Sequence, residues 1–207
     1  MKRMGISMVL ILFCFSSAYA KLINGYGLKT GVVIANQDFD HTYGFFDDTK
    51  NRTGFDFGVY MEWFNLLFLS MLIEAHYVQK GMIEEVPRTN EFGDPISPIK
   101  HNNRVDYLSI PILAKITFET KHVSPYLAIG PRFDFLLDYK SKILKTLYKE
   151  LKDMDTGGTI GIGVESKTEP LKMLLEFRYS PDFTNAYKTD LLKVKNNSFE
   201  ILFGLRL

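Results

Sequence analysis

Chemistry in this 207-residue chain has to come from four histidines, one cysteine, and 25 basic and 24 acidic side chains. A hydrolase needs a nucleophile, a base and an orienting group within hydrogen-bond reach. Glu74 and His76 share one face of a predicted strand, while His41 and His101 fall in connections. Ser70 and Ser109 alternate toward the same interior as His76, and no serine stands at a nucleophile elbow. His76 therefore reads as a salt-bridged side chain rather than a general base, and no residue is assigned a catalytic role. The histidines are scattered and Cys14 is the sole cysteine, so no metal-ligand spacing exists. The glycines recur at period two, which belongs to strands and not to a phosphate loop. No cofactor is expected.

The charges are more orderly than the histidines. Lys29, Asp56, Glu62, Glu74, Lys115, Arg132, Asp134, Glu165, Lys172, Glu176, Arg178, Glu200 and Arg206 all fall on one parity of alternating segments. Side chains on a strand alternate faces, so such segments are ribbons with one charged and one apolar side. The two signs nearly cancel, and buried charges must be paired or solvated. This pattern predicts a structural, salt-bridged network rather than a single-sign ion path.

The elements that must position these charges are strands at 22–34, 53–63, 67–78, 105–118, 124–137, 156–166, 171–179 and 199–207. Short turns follow the second, fourth and sixth strands, including one at 64–66 where Asn65 can take positive φ. The connections 36–52, 80–103, 138–155 and 181–197 are long. Leu144, Leu147, Tyr148 and Leu151 have helical spacing, which predicts a short amphipathic helix inside the third. Alternating short and long connections between antiparallel strands are the form of an all-β, eight-stranded, up-and-down transmembrane barrel with short periplasmic turns and long extracellular loops.

A soluble, ligand-carrying barrel would also alternate. The glycines decide between the two. Gly25, Gly27, Gly31, Gly58, Gly161 and Gly163 share the parity of the charges. On the inner face of a narrow barrel they leave room for long side chains. Trp63, Tyr77, Phe118 and Tyr179 lie near strand ends on the apolar face, where an aromatic girdle would sit.

Residues 1–20 have the form of a cleaved signal peptide: Lys2 and Arg3, an apolar run, then Ala18-Tyr19-Ala20. Residues 21–207 form the barrel domain, which is expected in the bacterial outer membrane. Cys14 lies in the leader, so disulfides do not hold the exported chain. The balanced charge argues against nucleic acid as a partner. The expected partners are outer-membrane lipid and lipopolysaccharide, the latter through Lys140, Lys142, Lys145, Lys149 and Lys152, with an envelope protein reached through the long loops. The barrel is expected to be a monomer.

Two segments go beyond generic patterning. Residues 107–115 (YLSIPILAK) and 125–131 (PYLAIGP) resemble the paired signatures of the PorT-like outer-membrane β-barrel family. Glu176-Phe177-Arg178-Tyr179, Phe183-Thr184-Asn185 and the closing Phe203-Gly204-Leu205 resemble the ending of that family. The resemblance implies a small integral outer-membrane barrel without catalytic residues, in a family whose namesake assists protein secretion and gliding. The chain departs from the usual aromatic last residue by ending in Leu207. A mid-strand proline at Pro111 is expected to require a local irregularity. The function expected is a structural or interaction role, not an enzymatic one. The alternatives are a small channel or a lipid-acting barrel enzyme.

Overall fold

The computed structural model describes residues 23–39, 49–141, 150–168, 171–187 and 194–207. The expected leader, His41 and most of the expected helix, with Lys142, Lys145 and Lys149, lie outside these. The strands are β1 (Ile23–Phe39), β2 (Thr49–Leu66), β3 (Leu69–Thr89), β4 (Pro95–Thr117), β5 (Val123–Lys140), β6 (Met154–Ser166), β7 (Lys172–Pro181) and β8 (Val194–Arg206). Each pairs antiparallel with its neighbour in sequence. β1 and β8 close the ring through a register that runs from Gly27–Arg206 to Phe39–Val194. Closure leaves no unpaired edge, as a hydrocarbon surrounding requires. Among the described residues no helix is long and apolar enough to cross a membrane; here the crossing elements are strands.

Period two in the sequence becomes inside and outside. On β1, Tyr26, Leu28, Val32 and Ile34 are exposed, while Lys29 is 1% exposed and Gln37 fully buried. On β7, Met173, Leu175, Phe177 and Tyr179 point outward, and Glu176 and Arg178 are buried. On these strands the outward side chains are thus apolar and the charges face inward, the reverse of a soluble barrel.

One expectation needs correction. The stretch 80–103, read as a loop, is the outer half of a β3–β4 hairpin that turns only at Asn90–Asp94. β3 has 21 residues and β4 has 23, against the roughly 9–11 a tilted spanning strand needs, so this hairpin projects well beyond the membrane. Its prolines and glycines suggested a loop, but Pro95 begins a strand and Gly81 (φ 121°) is tolerated within one. In the β2–β3 turn Phe64 and Leu67 hold positive φ. Pro111 carries no bulge, since Pro111–Arg132 and Ala114–Ile129 keep one offset; the irregularity expected there is a break in pairing with β3, between Ile73–Ile112 and His76–Ser109.

Candidate functional site

The bore of the barrel is filled by three ion quartets stacked along its axis. Each contains one lysine, one arginine and two carboxylates, and each carboxylate touches both cations. At the periplasmic end, Lys115 Nζ lies 3.0 Å from both Glu62 and Glu165, and Arg206 lies 3.2 Å and 2.9 Å from the same pair. In the middle, Lys29 donates to Glu74 at 2.7 Å and to Glu176 at 2.6 Å, and Arg178 reaches both carboxylates at 2.6 Å. Toward the outside, Lys80 lies 2.6 Å from Asp134 and 3.9 Å from Asp182. Arg132 pairs with the same two aspartates.

Each lysine also stands over a tyrosine ring: Lys29 over Tyr60 at 5.0 Å, Lys80 over Tyr107 at 5.5 Å and Lys115 over Tyr126 at 4.7 Å. A cation held between carboxylates and an aromatic face recovers part of the hydration it loses on burial. Tyr126 links two tiers, because its ring lies under Lys115 while its hydroxyl donates to Glu176 at 2.9 Å.

The strands supply this geometry through residues of one parity on neighbouring chains. Glycines on that parity make the space. A Cβ at Gly58 would overlap the His76 ring, one at Gly163 the Tyr126 ring, and one at Gly161 would come within 2.7 Å of Glu176. An apolar cluster that includes Leu72, Leu113 and Leu174 packs against Tyr60 and Tyr126 among the lower tiers. A second cluster closes the outer mouth, where Leu151, Ala186 and Tyr187 from the connections meet Met82, Val105 and Val194. A Leu151–Tyr187 bridge and a bond from Lys152 N to Ala186 O hold it there.

His76 is buried beside the middle quartet, its Nδ1 2.5 Å from Asp56 and its Nε2 3.1 Å from Glu74. Both ring nitrogens thus face a carboxylate, the surroundings that suit a doubly protonated ring. Ser109 is its register partner on β4, and both His76 nitrogens are engaged by carboxylates. Ser70 donates instead to Glu62 at 2.7 Å. Among the described residues no group of His, Asp and Glu could hold a metal ion.

Of the charges read from sequence, Glu200 accepts from Ser198 at 2.9 Å and stands outside the quartets. Lys172 is half-buried at the periplasmic mouth, where a cavity of about 410 Å³ opens onto the first quartet. Lys140 is exposed and Lys152 half-buried at the opposite end. The reading missed Lys80 and Asp182, half of the third quartet, because both fell in stretches assigned to loops. The available signal was parity: Lys80 continues the Ser70, Glu74, His76 series, and Asp182 continues Glu176 and Arg178.

Residues 24–188 match the family model described as outer membrane protein beta-barrel domain. The chain belongs to that family. As an outer-membrane barrel it is similar in structure to Neisserial surface protein A, at 14% identity and TM-score 0.49, covering 88% of this chain and 96% of the other. It is likewise similar to the outer membrane protein OprG from Pseudomonas aeruginosa, at 10% identity and TM-score 0.48, covering 90% and 97%. A third similar structure is Ail, the attachment invasion locus protein of Yersinia pestis, at 16% identity and TM-score 0.39, covering 88% and 98%. The chain has no match among curated protein sequences.

Proposed function

We propose that this outer-membrane barrel is a sealed, non-conducting component of the cell envelope. It works through the surface it presents and not through its bore or by catalysis. The observation that supports this is the stack of three charge-balanced quartets. A conducting pore needs a continuous wet path and usually an excess of one sign. Here every quartet is internally neutral, an apolar cluster packs among the lower tiers and another covers the outer mouth. The two occupied nitrogens of His76 favour a structural role over that of a base in a lipid-acting enzyme.

The surface best placed to meet an envelope protein or lipopolysaccharide is the β3–β4 hairpin, which stands clear of the membrane with Phe92 at its tip, 88% exposed. The resemblance of residues 107–115 and 125–131 to PorT-like barrels favours a secretion-associated partner. The barrel acts as a monomer in this reading. Planar-bilayer recording of the refolded barrel tests the sealed bore: no discrete conductance steps are expected at neutral pH. Steady, ion-selective openings of the intact protein would sink the reading in favour of a small channel.

A further inference from the structure

The β2–β3 turn is unlike the other described turn at its end of the barrel. Its tip, Phe64-Asn65-Leu66-Leu67-Phe68, carries no charge, whereas the β4–β5 turn carries Glu119, Lys121 and His122. Leu66, Leu67 and Phe68 are 67%, 92% and 59% exposed. Phe64 and Leu67 hold φ of 55° and 60°, a region that bulky residues avoid and that marks functional sites when it is kept. Thr117 N donates to Phe68 O at 2.8 Å and Leu69 pairs with Ile116, so this tip is level with Thr117 while the β4–β5 turn continues past it. The rim of the barrel is therefore notched at the membrane interface.

Two cavities meet at the notch. Inside is the 410 Å³ vestibule, with Leu67 and Phe68 as one wall, Glu62, Glu165 and Arg206 of the first quartet as its base, and Lys172 at its rim. Outside is an apolar groove of about 380 Å³ that runs from Leu66 past Met71 and Ala114 toward Ile129 and Pro131. Ser70 borders both. Each volume is in the range of a small-ligand site.

We propose that the notch binds one glycerophospholipid of the periplasmic leaflet, with an acyl chain in the outer groove and the headgroup turned over Leu67 and Phe68 into the vestibule. The outer groove faces hydrocarbon, so a chain is its natural occupant. The vestibule offers both signs at close range, with Arg206 and Lys172 for a phosphodiester and the exposed Glu119 of the β4–β5 turn for an ammonium. This is the complement of a zwitterionic ethanolamine headgroup. A lipid lying across the turn also covers leucines that would otherwise face water.

Native mass spectrometry of the detergent-solubilised barrel with added phosphatidylethanolamine, phosphatidylglycerol and diacylglycerol tests this. A single phosphatidylethanolamine adduct is expected, at least fivefold more abundant than that of diacylglycerol, with phosphatidylglycerol between them. Ala114→Trp fills the groove from the lipid side, and Leu67→Gly suits the backbone while removing the side chain. Both should keep the heat-modifiable gel mobility of the folded barrel and lower the adduct at least fivefold. Ile201→Trp, outward-facing on β8, should leave the adduct unchanged. Equal adducts for diacylglycerol and phosphatidylethanolamine overturn the headgroup site. Equal losses in Ala114→Trp and Ile201→Trp, or no loss in Ala114→Trp, reduce the lipid to a general belt and overturn the notch. Glycerophosphoethanolamine bound as tightly as the intact lipid would make the vestibule a soluble-ligand site and overturn the proposal.

Discussion

Lys29→Met is the sharpest test of the quartet arrangement. Lys29 is 1% exposed and holds two carboxylates that are themselves fully buried, at 2.7 Å and 2.6 Å, besides standing over Tyr60. Methionine fills similar volume but leaves Glu74 and Glu176 sharing Arg178 as their quartet cation. Removing one partner of a buried ion pair costs about 3–5 kcal/mol, most of it the stranded charge. The cation–π contact acts on the same ammonium and is not added separately. Lys172→Met at the half-buried mouth should cost under about 1 kcal/mol, as exposed charges do. Restoring neutrality with Lys29→Met/Glu176→Gln should recover at least about half of the loss, since the penalty is one of unpaired charge. Reversible urea unfolding in lipid vesicles, followed through Trp63, the only tryptophan, gives all three numbers. If Lys29→Met and Lys172→Met cost the same, or the second substitution deepens the loss, the quartets do not stabilise the barrel by charge balance and the reasoning fails.

Two further outcomes follow from the same structure. Gly163→Ala puts a methyl group into the Tyr126 ring and should destabilise the barrel by about 1–3 kcal/mol, as overpacking does; adding Tyr126→Phe, which removes the nearby hydroxyl, should recover part of this in the same unfolding assay. In the hairpin beyond the membrane, hydrogen bonds from Lys50 and Lys100 hold the Glu85 carboxyl below its ordinary value of 4.5. A depressed folded-state value means that the pairing supports the hairpin above pH 4.5 and is lost as pH falls through the lower, folded-state value. Amide exchange at Ile83–Val86 should accelerate below that point relative to neighbouring barrel amides. The difference should shrink in 1 M salt, because exposed pairs are screened.

Fold and face were legible in the sequence because both depend on a local rule. Strand side chains alternate, and a chain whose glycines share parity with its charges has its small, polar side turned inward. Eleven of the thirteen charges that this rule assigns to the interior are buried, and Lys172 and Arg206 are half-buried at the periplasmic mouth. Glycine and proline punctuation, by contrast, ended β3 and β4 too early. Within a tall hairpin Gly81 and Pro95 keep register partners, and Pro98 sits at a local shift with pairing resumed on both sides, which only the pairing reveals.

What the sequence by itself determined was thus the number of strands, their order and which face carries charge. Tertiary structure alone decided which charges meet. Glu62 and Lys115 are 53 residues apart and Lys29 and Glu176 are 147 apart. Barrel closure and stagger bring them to one height, and neither quantity is written in any single strand. The same stagger joined Lys80 and Asp182 into the third quartet and matched each lysine with a tyrosine from another strand. It also set the β2–β3 turn below its neighbour at the rim. An alternating pattern states which way a side chain points; only the register between strands states what it points at.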